Sequence, residues 1–78
     1  MTNNTKNFLN VGSVLYNVDN GNSWVLYYSE YNEKKKDWIF RLIMADNKEP
    51  VILGNNTVVT GSYVAERIKA NKIIINKK

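Results

Sequence analysis

The sequence has 78 residues, 44% of them hydrophobic, which suits one small domain and excludes wholesale disorder. It contains neither cysteine nor histidine, which excludes disulfides, zinc sites built from those residues and the commonest general base. The formal net charge of +4 permits an anionic partner but is modest beside that of dedicated nucleic-acid binders. We therefore expect no catalytic residue, no metal site and no cofactor.

The first seven residues are polar, and we expect a flexible N-terminal arm over residues 1–7 and a single β-rich domain over residues 8–78. The arm lacks the apolar segment of a secretory signal. No run in the sequence approaches the roughly 20 apolar residues that cross a bilayer. These features predict a cytoplasmic protein with no membrane partner.

Residues 11–18 predict the first strand, with a bend or bulge at Gly12. The Asn-Gly pair at positions 20 and 21 predicts a type I′ hairpin turn, in which both central residues adopt positive φ. The first strand should therefore pair antiparallel with the run that follows, over residues 24–31.

Residues 24–31 and 38–45 are rich in aromatic and β-branched side chains, and the short polar segment 32–37 between them predicts a β-hairpin. Because strand side chains alternate between faces, one face of the second strand should carry Trp38, Phe40, Leu42 and Met44. The other face should carry Ile39, Arg41 and Ile43. Two largely apolar faces predict a strand that is covered on both sides or lies in a closed barrel.

The same alternation in the first strand of the hairpin predicts two sets of side chains. Trp24, Leu26 and Tyr28 should share one face, and Val25, Tyr27 and Tyr31 should lie on the other.

The apolar runs 51–53 and 57–60 predict either a small hairpin or one bent strand, and the sequence does not choose between them. Residues 61–70 predict a short helix, because Val64 and Ile68 are four positions apart. Thr60 or Ser62 can cap its first turn, and Asn71 is suited to a left-handed stop. Residues 73–75 predict a final strand.

The predicted order is β-β-β-β-(β)-α-β, in which the bracketed strand depends on how residues 51–60 fold. This order is mainly β, with one short C-terminal helix, and short turns favour a small antiparallel meander. We expect an SH3-like or half-open barrel, with a curled sheet that packs the helix on one face as the alternative.

Three tyrosines within five positions of one strand, Tyr27, Tyr28 and Tyr31, cannot all point into a core. We expect these rings to form a partner-binding surface together with Arg41 and with the hairpin-tip lysines Lys34, Lys35 and Lys36. The competing interpretation is that the rings are core and cross-strand pairs and that the lysines are a solvated turn.

The small size, the bias towards asparagine and lysine and the missing catalytic residue types resemble small accessory proteins of phages and mobile elements. We expect a non-catalytic binding module, an accessory, regulatory or inhibitor protein that contacts another protein. The alternative is a small barrel that binds single-stranded DNA or RNA with the same surface. A homodimer formed through a sheet edge is also open.

Overall fold

The strands and the helix follow one another in the order β-β-β-β-α-β. The structure is a computed structural model and describes residues 9–76, so the expected arm over residues 1–7 lies outside the described part. The elements are β1 Val14–Asn17, β2 Asn22–Asn32, β3 Asp37–Met44, β4 Val59–Thr60, α1 Gly61–Lys69 and β5 Ile73–Asn76. All strand pairs are antiparallel and form one sheet in the order β4-β3-β2-β1-β5. The prediction of a mainly β fold with one short C-terminal helix is confirmed.

The sheet does not close into a barrel, because β4 and β5 lie at its two opposite edges. Helix α1 contacts β3, β4 and β5, and its buried Val64 belongs to the hydrophobic core. We call the face of the sheet that packs against this core the inner face and the opposite one the outer face. The architecture is therefore one sheet with a helix against its inner face. Within residues 9–76, no helix has both the length and the apolar character needed to cross a bilayer.

Alternation along the strands builds the core. Leu15 of β1, Leu26 of β2 and both Phe40 and Leu42 of β3 are at most 1% exposed and point to the inner face. Trp38 and Met44 are half-buried and pack against the same core, so the predicted inner set of β3 is confirmed. The expectation that β3 is covered on both sides is wrong: its other face carries the exposed Arg41.

A β-bulge interrupts the pairing of β2 with β3. Leu26 lies opposite Leu42 and Tyr28 lies opposite Arg41, so Tyr27 is an extra residue in β2. The extra residue shifts the alternation, and Tyr28 therefore lies on the outer face, opposite to Trp24 and Leu26. The prediction that Tyr28 shares their face is wrong. Beyond the bulge Tyr31 lies opposite Trp38, on the inner face, so the grouping of Tyr31 with Val25 is wrong as well.

The connection between β1 and β2 is a four-residue loop over residues 18–21. Its Gly21 has φ of 76° and donates its N–H to the Asn17 carbonyl at 2.8 Å. Asn20 does not have positive φ, so the prediction of a type I′ turn is wrong, although the predicted antiparallel pairing of β1 with β2 is confirmed. A type I′ turn needs positive φ at two residues, whereas this loop has positive φ only at Gly21.

The runs 51–53 and 57–60 neither pair with each other as two strands nor form one bent strand; between them, Leu53 and Asn56 form an isolated antiparallel bridge. Pro50 bridges Ile43, and the Val51 N–H donates to the Leu42 carbonyl at 3.0 Å, which covers one end of the β3 edge. The chain then turns tightly between Leu53 and Asn56 and returns to the β3 edge as the two-residue strand β4. The two apolar runs thus both contact the edge of β3, at different positions along it.

Helix α1 begins and ends at residues that the sequence indicates. Thr60 is the N-cap, and its hydroxyl oxygen accepts the Tyr63 N–H at 3.1 Å. Asn71 has φ of 62° and lies directly after the C-cap. A further contact was not foreseen: the Asp37 carboxylate, at the start of β3, accepts the Ser62 hydroxyl at 2.6 Å and the Ser62 N–H at 3.2 Å. This carboxylate links the first turn of the helix to the sheet, and its negative charge interacts favourably with the positive end of the helix dipole.

Replacing Asp37 with alanine should lower the free energy of unfolding by about 1–2 kcal/mol, because the helix N-terminus loses its acceptor and its negative charge. Asp37→Asn keeps an oxygen acceptor and should cost less. Urea denaturation of both variants measures the difference. Equal stability of Asp37→Ala and the wild type would show that this contact does not hold the helix.

The other end of the helix is tied to the β1–β2 loop. The Asp19 carboxylate accepts hydrogen bonds from Arg67 at 2.8 Å and from Lys72 at 3.2 Å. The pKa of Asp19 is lowered below its ordinary value of 3.8, mainly by the hydrogen bond from Arg67 and next by that from Lys72. The ion pairs therefore stabilise the fold above pH 3.8, and this contribution is lost as the pH falls through the lowered pKa.

Candidate binding surface

The outer face of the sheet is rich in apolar and aromatic side chains. Each occupies the strand position next to a core residue: Val14 lies opposite Val25, which lies opposite Ile43, and Tyr16 lies opposite Ile74. The exposed fractions of Ile74, Tyr27, Tyr16 and Tyr28 are 56%, 47%, 41% and 40%. We call this set the outer surface, and its members are Val14, Tyr16, Val25, Tyr27, Tyr28, Ile39, Arg41, Ile43 and Ile74.

The bulge in β2 places the aromatic part of the outer surface. In a bulge, two residues of one strand lie opposite a single residue of the other, and here Tyr27 and Tyr28 lie opposite Arg41. Both rings are exposed although they are adjacent in sequence, which regular alternation would not allow. The Arg41 guanidinium carbon lies 5.6 Å from the centre of the Tyr28 ring, within the range of a cation–π contact. The cation thus contacts the Tyr28 ring, and the exposed Tyr27 lies next to this pair in the bulge; we call these three residues the cluster.

A carboxylate completes this cluster. The Tyr28 hydroxyl donates to the Glu30 carboxylate at 2.6 Å, and Glu30 lies two residues further along the same face of β2. This bond raises the pKa of Tyr28 above its ordinary value of 10.0, because the anionic partner disfavours the phenolate. Tyr28 thus makes two contacts: its hydroxyl donates to Glu30, and its ring contacts the Arg41 guanidinium.

Glu30→Ala should bring the pKa of Tyr28 down towards 10.0, since it removes the acceptor and its negative charge. A pH titration of the Tyr28 ring carbons by NMR measures the change. Glu33→Ala, which removes an exposed carboxylate from the neighbouring loop, is the control and should leave the Tyr28 titration as it is. A Tyr28 pKa that does not respond to Glu30→Ala would rule out the contact.

Tyr31 lies apart from the other two tyrosines. It is half-buried on the inner face, where its ring meets the Trp38 ring edge-on at a centroid distance of 5.5 Å. Trp38 in turn stacks on Phe40 at 6.4 Å. Tyr31 thus extends the aromatic packing of the core towards the hairpin tip, as the core interpretation of the rings expects.

The three lysines of the expected surface, Lys34, Lys35 and Lys36, lie in the exposed β2–β3 turn at the end of the hairpin. The Asn32 side chain accepts the Lys35 N–H at 2.9 Å, and Lys36 has φ of 54°, which closes the turn. They belong to the turn and not to the strands, so they lie at the hairpin end of the outer surface and not within it. Arg41, on β3, is therefore the one cation among the members of the outer surface.

The expected surface lacked the apolar members of the outer surface, the exposed Tyr16 and Ile74 among them, and it lacked the neighbouring Glu30. Tyr16 and Ile74 alternate with the buried Leu15 and Ile73, a signal that was present in both strands. Glu30 lies two positions after Tyr28, and the same rule would have placed the two on one face.

A groove lies between the segment 52–58 and the start of helix α1. It has a volume of ≈ 560 Å³ and is lined by Ile52, Leu53, Gly54, Asn56, Val58, Val59, Thr60 and Tyr63. None of these residues is of an acidic or basic type, and the groove adjoins the outer surface where Thr60 lies opposite Ile39.

We compared the chain with protein-family models, with curated protein sequences and with solved structures. No family model matches it, and neither of the other two comparisons gave a match. The functional interpretation therefore rests on the geometry of the outer surface.

Proposed function

We propose that this protein is a non-catalytic binding module that contacts another protein through the outer surface, and that it acts in the cytoplasm as an accessory or inhibitor of a larger assembly. The observation that carries the proposal is the cluster of Tyr27, Tyr28 and Arg41, exposed on an otherwise apolar sheet face. Tyrosine and arginine are the residue types that dominate binding energy at protein interfaces, and exposed apolar patches commonly mark such sites.

The dimensions of the outer surface fit this role. Four strands about 4.8 Å apart, each rising about 3.3 Å per residue, give a face of a few hundred square ångströms. A standard interface buries about 800 Å² on each partner, so this face supplies part of such an interface and its rim would have to supply the rest.

The charge distribution favours a protein over a nucleic acid. Residues 9–76 contain eight basic and seven acidic side chains, so their net charge is +1 and most of the +4 of the whole chain comes from Lys6, Lys77 and Lys78. Glu30 adds a carboxylate beside Tyr28, where a phosphate backbone would be repelled. Single-stranded nucleic acids bind to grooves where several cations follow the backbone. The tip lysines are the observation that keeps nucleic acid as the second candidate.

Site-specific photo-crosslinking tests the proposal. A benzophenone amino acid at position 27 should give discrete protein adducts in cell extract from the source organism. The same group at position 52 is the control, because Ile52 is 60% exposed and lies outside the outer surface. Identical adducts at both positions, or none at position 27, would contradict a partner site on the outer face.

Fluorescence polarisation with single- and double-stranded DNA and RNA tests the second candidate. We expect no binding near physiological salt, since Arg41 is the one cation among the members of the outer surface. Binding that weakens steeply with ionic strength would instead show counterion release and would favour a nucleic-acid partner.

A further inference from the structure

We infer that the partner presents a carboxylate flanked by apolar side chains, and that the Arg41 guanidinium binds this carboxylate on the outer surface. This inference rests on the proposed function and specifies the chemistry of the partner.

Arg41 has no ion-pair partner among residues 9–76. The ion pairs there join Arg67 and Lys72 to Asp19. Glu30, on the same face beside Tyr28, accepts the Tyr28 hydroxyl at 2.6 Å. The guanidinium is exposed and lies over the Tyr28 ring, 5.6 Å from its centre. Within the described residues no hydrogen bond occupies its N–H donors, which are therefore available to an incoming group.

The neighbours of Arg41 on the outer face are apolar and aromatic side chains. Ile39, Ile43 and the exposed rings of Tyr27 and Tyr28 flank it on the outer face. A partner that covers these apolar groups must also remove water from the guanidinium. A charge buried without a counter-charge is strongly unfavourable, so a complementary partner must bring an anion to this point. A carboxylate matches the planar fork of the guanidinium with two parallel hydrogen bonds.

A carboxylate fits this surface better than the phosphates of a nucleic acid do. A phosphate chain brings a series of charges, whereas Arg41 is the one cation among the members of the outer surface and the Glu30 carboxylate lies on the same face beside Tyr28. A single acidic side chain within an apolar segment meets that pattern without placing a second anion against Glu30. The chemistry of the site therefore fits an acidic and apolar peptide or protein surface.

Selection from a displayed library of random linear peptides tests the inference, with the intact protein as bait. The wild type should enrich peptides that combine aspartate or glutamate with apolar residues. Arg41→Glu should instead enrich peptides with lysine or arginine. The control is Lys48→Glu, which makes the same charge change at an exposed turn residue and should enrich the same peptides as the wild type.

A double-mutant cycle then assigns the contact. Replacing the acidic residue of an enriched peptide with its amide should weaken binding to the wild type about tenfold or more, and should change binding to Arg41→Gln little. Far-UV circular dichroism verifies that Arg41→Gln is folded, and Arg41→Lys, which keeps the charge without the fork, should lie between the two.

The outcomes distinguish this inference from the proposed function. Peptides that lose binding in Tyr27→Ser but show no coupling between an acidic residue and Arg41 would overturn the inference and leave the protein-binding role in place. If no selected peptide depends on the outer surface, or an oligonucleotide binds through Arg41 instead, both are overturned.

Discussion

Leu42→Asp is expected to unfold the protein, whereas Arg41→Asp at the neighbouring position should leave it folded. Leu42 is 1% exposed in the core, and Arg41 is exposed on the outer face of the same strand. An aspartate at position 42 would bury a carboxylate without a partner, at a cost of several kcal/mol, which is comparable to the whole stability of a small domain. The cost at position 41 should stay within about 1 kcal/mol, mainly the lost contact with the Tyr28 ring.

Thermal unfolding followed by circular dichroism, together with NMR dispersion, measures this contrast between adjacent residues. A folded Leu42→Asp variant, or an Arg41→Asp variant as unstable as Leu42→Asp, would contradict the assignment of the two faces of β3.

The second large effect concerns binding and not stability. The double variant Tyr27→Ser, Tyr28→Ser should weaken binding to the partner crosslinked at position 27 by about 100-fold or more, because buried aromatic residues each contribute about 2 kcal/mol at the centre of an interface. Its melting temperature should change little, since both rings are at least 40% exposed in the free protein. Isothermal titration calorimetry and a thermal scan measure the two quantities separately.

Tyr63→Ser is the matched control for this variant. Tyr63 is 37% exposed on helix α1, where the Arg67 guanidinium lies 5.8 Å from its ring centre, so it repeats the chemistry of the Tyr28–Arg41 pair away from the outer surface. Removing the Tyr63 ring should leave the affinity for the partner unchanged. If the control weakens binding as much as the double variant does, the partner contacts the helix and not the sheet face.

The strands and the helix could be predicted from local patterns in the sequence, because the signals for them are short-range. The polar segment between residues 31 and 38 separates two β-rich runs, and Thr60 and Asn71 suit the two ends of a helix. The open sheet could not be predicted in the same way, since two apolar faces on β3 are compatible with a barrel and with an exposed binding face. The segment over residues 50–58 also depends on tertiary context, because its place is set by the edge of β3.

The site was predicted in its residue types but not in its arrangement. Tyr27, Tyr28 and Arg41 were expected to lie on a partner-binding surface, and the structure brings these three together. The bulge that does so has no glycine in it and leaves no local signal, so alternation assigned Tyr28 to the core face. Tyr31 was placed with Tyr27 for the same reason, and the register shift moves it to the Trp38 side of the sheet.

One extra residue in β2 thus places the residues on which the proposed function rests. The core positions of β3 on either side of Arg41 are filled by Leu42 and Phe40, and the adjacent Tyr27 and Tyr28 are exposed opposite Arg41. The buried core lies on the inner face, and we propose that the outer face serves a partner.

Solvent paramagnetic relaxation in the free protein, with a soluble gadolinium chelate, tests the open outer face most directly. We expect strong relaxation enhancement for side-chain protons of Tyr27, Tyr28, Arg41 and weak enhancement for Phe40 and Leu42, at a concentration where light scattering gives the monomer mass. Outer-face protons as protected as those of Phe40 would show that this face is covered within the chain, and would contradict a surface kept open for a partner.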